Sequence, residues 1–281
     1  MTVTAQGEQG AEADNRGARP LLRGWLHVGA CAAWLIGGPF LIAAGPTVGP
    51  TAALAVYVAG MVVLFGTSAA FHRVRWSAAA WRRMRRADHS AIFVGIAGTT
   101  TAVSILALHG WAEILLLTMV WVGAVVGIVL RQVWLDAPQW VVAIPYVVVG
   151  WCPLVVLPQL LHGLGWIGFS LTVSAGVAYT AGALVYAAKR PNPWPRVFGF
   201  HEVFHACTLV GAALFAAVVV FIALPRADST TSGSADRALG PQAGQHVGVE
   251  SELARQHVVG VLAQPRHAHL GTFRHLGEFD R

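Results

Sequence analysis

Two histidines stand four residues apart in "FGFHEVFH", residues 198–205. With Glu202 between them, His201 and His205 spell H-E-x-x-H. On a soluble helix that pattern holds zinc through the histidines and uses the glutamate as general base. The spacing sets both imidazoles on one helix face, about 6 Å apart along the axis. The residues that follow, "ACTLVGAALFAAVVVFIALP", are those of a membrane span instead. Ionisable groups at membrane depth are costly, and they mark function by default. Besides His201, Glu202 and His205, those at or near span ends are His72, Asp88 and His89. A catalytic zinc takes three protein ligands and keeps a position open for water. His72 is the natural third ligand, and Ser68 lies one turn deeper on the same face. Asp88 is placed to accept a proton from the metal's water or to orient a ligand.

Each of these residues has a plainer reading. Asp88 beside Arg85 and Arg86 also reads as an ion pair at the headgroup level, and His89 as local packing. Glu202 reads as a carboxylate placed favourably near a helix N-terminus. His27, His109 and His162 read as interfacial anchors, and Glu113 as a solvated group. For His72, His201 and His205 the interfacial reading is the weaker one, because depth, spacing and number agree.

The elements that must position these groups follow from composition. The chain has 281 residues, 56% hydrophobic and 11% charged, with a mean hydropathy of +0.59. A soluble domain carries about 25% charged residues. Seven apolar runs can be read, at residues 24–44, 51–71, 88–108, 110–130, 139–158, 164–188 and 199–224. Each approaches the roughly 20 residues that cross a bilayer core of about 30 Å as helix. Helix is required because lipid offers no partner to backbone amides, and the runs lack barrel-strand alternation. The expected fold is an all-α integral membrane protein of seven transmembrane helices.

Basic residues alternate along the connectors. Arg16, Arg19 and Arg23 precede the first run, and six arginines from Arg73 to Arg86 follow the second. Arg131 follows the fourth run, and Lys189, Arg190 and Arg196 follow the sixth. The connectors between have no Arg or Lys. The positive-inside rule then predicts a cytoplasmic N-terminus and an extracytoplasmic C-terminus. It also explains the basic pI of 9.9 without nucleic acid, which no alternation of loops would serve. The arginines can touch anionic lipid heads as well.

Residues 1–22 are expected to be a disordered cytoplasmic tail, 23–224 the seven-helix domain and 225–281 a disordered C-terminal tail. The tail's "RHAHLGTFRH" suits adventitious metal binding at most. Cys31, Cys152 and Cys207 lie in apolar runs without C-x-x-C spacing, so no disulfide is expected. Gly123 and Gly127 form a small-xxx-small pair suited to close helix contact.

Three blocks together resemble the hemolysin III family, within the progestin and adipoQ receptor superfamily. They are "TSAAFHRV", "RRADHSAIFVGIAGTTT" and "YAAKRPNPWPRVFGFHEVFHACTLVGAALF", and the resemblance spans about residues 20–224. It implies seven helices, a cytoplasmic N-terminus, and a zinc held by His72, His201 and His205 near the cytoplasmic face. Ser68 and Asp88 then lie beside the metal's water. Receptor members look like hydrolases of lipid amides such as ceramide, which implies a membrane lipid as substrate or ligand. Where the family reads Gly-Thr-Tyr-Thr-Pro this chain has "GTTTA", and the lost Pro and Tyr bear on the bend of span three and its cavity lining. A cytolytic or pore-forming protein and a lipid sensor without turnover are the competing readings. A zinc protease with Glu202 as base is the weakest. The expected location is the bacterial plasma membrane.

Overall fold

The computed structural model describes residues 20–229. Its helices are α1 (Trp25–Ala43), α2 (Val48–Arg73), α3 (Ala78–Ala107), α4 (Trp111–Val133), α5 (Gln139–Gly150), α6 (Leu157–Ala188) and α7 (Phe200–Ala217). A 3₁₀ turn, Cys152–Val156, joins α5 to α6, and a π-helical stretch, Val218–Ala223, extends α7. Six stretches are long and apolar enough to cross a membrane: α1, α2, α3, α4, Trp140–Ala188 and Phe200–Ser229. Large apolar side chains face outward on them, such as Val122, Val125, Val126 and Val129 of α4 and Trp166 and Ile167 of α6. In water such faces would be a liability; in lipid they are the solvated surface.

Three boundaries differ from those read in the sequence. The third helix starts at Ala78, so the arginines at 82, 83, 85 and 86 ride on it rather than in a loop. Ser77 caps this start by accepting from the Ala80 amide at 3.4 Å. Arginine is a good helix former, and a helix need not end where its apolar stretch does. The break between the fifth and sixth runs narrows to Gly165, with φ 66 and ψ 177, inside an otherwise continuous helical stretch. That conformation is open to glycine and strained for other residues. At the far end, helix continues to Ser229 where the sequence reading placed a tail from Pro225. Arg226 fastens this extension by donating to the Leu164 carbonyl at 2.5 Å. The readings for residues 1–19 and 230–281, the C-terminal histidines among them, lie outside the described residues.

α3 is the central helix, with buried residues from Trp81 through Ala107. It packs on α2 and α4, α6 packs on α7, and α1 lies on α2 and touches α7. The α2–α3 contact is backbone against backbone. A Cβ on Gly60 would stand 3.0 Å from the Val94 carbonyl oxygen, and one on Gly98 equally close to that of Val56. Gly123 and Gly127 do serve close contact, with two partners: Gly123 meets Val149 and Gly127 meets the Phe93 ring. α3 runs unbroken through Gly98–Ala102, as a chain lacking the family's proline there allows. The three cysteines are free.

Candidate metal centre

The last turn of α2 and the first turns of α7 meet at one end of the bundle. His72 comes from α2, His201 and His205 from α7, and their ligand atoms all lie within 4.8 Å of one another. The ring centroids are 4.7 Å apart for His72 and His201, 5.1 Å for His72 and His205, and 4.6 Å for His201 and His205. The rings are inclined at 57–77° rather than stacked, so their nitrogens converge. Nε2 of His201 is 3.1 Å from Nε2 of His72. Tetrahedral zinc with Zn–N of about 2.0–2.1 Å spaces its nitrogens by about 3.3 Å. Nδ1 of His205 is buried with no hydrogen-bond partner. Spacing, inclination and an orphaned nitrogen fit a divalent metal, and the all-imidazole donor set suits zinc among several first-row ions.

Several contacts hold these turns in place. Glu202, fully buried, accepts from the Gly199 amide at 2.8 Å through Oε2 and from Arg23 through Oε1. It thus caps the start of α7 and ties it to the segment before α1. That segment pairs with the approach to α7 through Leu21 N to Arg196 O and Leu22 N to Val197 O. Asn192 accepts from the Phe200 amide at 3.1 Å. On the α2 side, Gly24 at φ 79 lets α1 start against His72, where a Cβ would come within 2.8 Å of the His72 Cβ. The Arg73 guanidinium lies 4.4 Å over the Trp25 ring, tying the same two helix ends together.

Ser68 and Asp88 are buried and line a cavity together with His201 and His205. Asp88 is outside the group of convergent ligand atoms. Among the described residues it forms no ion pair; Arg85 instead bonds Asp136 at 3.0 Å. His89 packs locally: Nδ1 is 2.7 Å from a nitrogen of the buried Arg131, and its carbonyl accepts from the Tyr146 hydroxyl at 3.0 Å. Glu202, spent on a backbone amide and a guanidinium, is held as a structural carboxylate. His109 and His162 are exposed, as anchors should be.

His27 is not an interfacial anchor. Its side chain is only 3% exposed, stacks on His205 at 3.7 Å and 12°, and meets Phe65 edge-on at 5.1 Å. The signal for it was in the sequence. The first run enters at the same end of the bundle as His72, Asp88 and His201, so the depth argument that grouped those residues also covers His27. Arg131, the single basic residue of its connector, belongs to that end for the same reason.

The cavity has a volume of about 120 Å³ and lies among α2, α3, α5, α6 and α7, with His27 of α1 in its wall. Its wall on α3 extends from Asp88 to Thr100, about 18 Å along the axis. Away from the histidines its walls are mostly apolar, with Met61, Leu64, Ile92, Ile96 and Val142 among them, interrupted by threonine and tyrosine side chains.

The sequence profile of haemolysin-III-related proteins matches residues 16–216. Hemolysin-3 of Bacillus cereus is 28% identical over 181 residues, covering 64% of this chain and 80% of that protein. The Hemolysin-3 homolog of Bacillus subtilis (strain 168) is 32% identical over 134 residues, 48% of this chain and 60% of that protein. The heptahelical transmembrane protein ADIPOR2 of Oryza sativa subsp. japonica is 41% identical over 56 residues, 18% of this chain and 24% of that protein. With six apolar helices and bacterial relatives of this kind, the chain is a multi-pass protein of the plasma membrane. Its matched region covers most of the described helices and all the convergent histidines, and the chain belongs to the haemolysin-III-related family, within the progestin and adipoQ receptor superfamily.

Proposed function

We propose that the chain is a zinc-dependent hydrolase of lipid amides of the ceramide type, working where three histidines meet an apolar cavity. The observation that carries this reading is the junction itself: two of the three convergent imidazoles, His201 and His205, share one cavity with the buried carboxylate of Asp88 and a long apolar wall. His72, His201 and His205 hold the metal. Bound there, zinc supplies Lewis acidity toward water and toward a carbonyl oxygen. Asp88 accepts the proton that the attacking water gives up, and Ser68, in the same cavity wall, orients the carboxylate. The apolar wall takes the acyl chain and keeps bulk water from the reacting end.

In this reading the bundle crosses the membrane seven times, the break at Gly165 separating the fifth and sixth passages. The N-terminus and the metal site lie on the cytoplasmic side and the C-terminus outside, as the alternating basic connectors favour.

Metal analysis of detergent-purified protein tests the site. Wild type should hold about one zinc per chain, one three-ligand set holding one ion, and His201→Ala should lose it. Stoichiometric zinc in the triple variant His72→Ala, His201→Ala, His205→Ala would sink the site. Zinc-loaded wild type that never cleaves amide lipids would sink only the chemistry. The names of the Bacillus relatives favour a second reading, a cytolytic membrane protein. Dye leakage from liposomes that persists in the triple variant would support it.

A further inference from the structure

A second, smaller cavity of about 20 Å³ continues beyond the far end of the first. On α6 the larger cavity runs from Tyr186 back to Gly176, and the smaller one from Gly176 back to Phe169. Around the end of α5 the larger runs from Val142 to Trp151, and the smaller from Gly150 to Leu154. Gly150, Trp151, Gly176 and Phe215 line both, so they form the wall that divides them. That wall is far from the histidines. Phe215 is ten residues past His205, and Gly176 is ten residues before Tyr186, whose ring is 5.9 Å from that of His201. Ten residues of helix span about 15 Å.

The largest side chain of the wall is the Trp151 indole, and it is held in place. Its N–H donates to the Thr180 hydroxyl at 2.9 Å, and that hydroxyl donates to the Gly176 carbonyl at 2.8 Å. The ring closes against Gly176, where a Cβ would stand 3.2 Å from Cζ2 and Cη2. We infer that Trp151 sets the length of the acyl chain the cavity accepts, a proposal that rests on reading the cavity as a lipid site. The space is narrow, about 120 Å³ between the histidines and the dividing wall, and its sides are mostly apolar. Such a space suits one extended hydrocarbon chain. With the polar end of the lipid at the histidines, the methyl end of the chain arrives at the indole. A longer chain must displace the ring from Thr180 and Gly176 or hold its polar end back from the metal site. Removing the ring opens room in line with the chain, because the smaller cavity lies directly behind it.

The test gives the full zinc-loaded chain in detergent an equimolar ladder of ceramides that differ only in acyl length. Native mass spectrometry reads which of them stay bound. A second ladder of free fatty acids presents the same chains without the amide. Wild type should show a length limit, with occupancy falling about tenfold or more at the first chain beyond it, the scale of one methylene in a fitted pocket. Trp151→Ala should move the limit to longer chains and keep wild-type zinc content, since the ligands are about 15 Å away along the helices. Trp151→Phe keeps most of the bulk and gives up the N–H, so its limit should stay near that of wild type.

A length profile in Trp151→Ala that matches wild type overturns the inference. Zinc lost in that variant, or every length weakened alike, overturns it in favour of a purely structural ring. Wild type with no length limit in either ladder overturns it too. A limit that moves with fatty acids while no ceramide binds keeps the role of Trp151 and removes the amide reading. Hydrolysis is scored separately: a movable limit without cleavage removes the hydrolase alone, whereas cleavage with an unmoved limit removes this assignment alone. If Trp151→Ala does not fold, Trp151→Leu is measured against Trp151→Phe with the same expectations.

Discussion

Two regions bury polar side chains at membrane depth, and they treat them in opposite ways. Along the middle of α3, Thr99 donates to the Gly95 carbonyl at 2.8 Å and Thr101 to that of Ala97 at 2.7 Å. Thr172 and Thr180 on α6 do the same with Gly168 and Gly176, whereas Thr100 and Ser104 on α3 make no such bond. The bonded hydroxyls are satisfied within one turn of their own helix, so a membrane tolerates them cheaply. At the histidine end, the groups come from α1, α2, α3 and α7, and nitrogens of His27 and His205 find no protein partner. Polarity closed on its own helix belongs to the scaffold, whereas polarity gathered from several helices and left open has been kept for something else.

The sharpest way to break this contrast is Asp88→Asn. The change keeps the shape and removes the proton acceptor. Lipid-amide hydrolysis should fall about 10²–10⁴-fold, the scale of a lost general base, with zinc content unchanged. Turnover measured beside metal analysis decides it. Full activity in Asp88→Asn would move Asp88 into the scaffold class with the threonines.

What the sequence made legible on the two sides follows the same physics. Helical periodicity put His201 with His205, and Ser68 with His72, on common faces. Span-end depth brought the three segments together. These are local rules, and the convergent histidines obey them. The Arg23–Glu202 link joins residues 179 apart in sequence, and the Arg131–His89 contact joins residues 42 apart. Neither has a local signature, because each exists only once the helix ends have met. His27 reads as an anchor because a single histidine near a span end usually is one, although it enters at the same depth as His72, Asp88 and His201; the stack on His205 that covers its ring forms only once the helices have met. The arginine run after α2 was read as a connector because apolar length marks where a helix leaves lipid, not where it ends.

Gly24→Ala probes how the site end is held without touching a ligand. At φ 79 an alanine costs about 1–2 kcal/mol, as left-handed backbone does for L-residues, and its Cβ would press on that of His72. The expected result is a lowered melting temperature in detergent together with weaker zinc retention against a chelator. A lower melting temperature with unchanged retention would mean that the α1 start supports the bundle but does not set His72.

Thr101→Val should have the smallest effect, and it tests the scaffold side. Valine has nearly the shape of threonine, and the Ala97 carbonyl that loses the hydroxyl is also the acceptor of the α-helical bond from Thr101's own amide. The one interhelical bond removed is that from Trp121 Nε1 on α4, 3.1 Å from the hydroxyl. Its indole is 41% exposed on the lipid-facing side, where it can turn toward other partners. The expected destabilisation is about 0.5–1 kcal/mol, the size of one interhelical hydrogen bond in a membrane, with zinc content and ceramide binding as in wild type. A change in either would show that the threonine stretch feeds the cavity it lines at Thr99 and Thr100. The division between closed and open polarity would then have to be drawn further along α3, past the point where the hydroxyls appear self-contained.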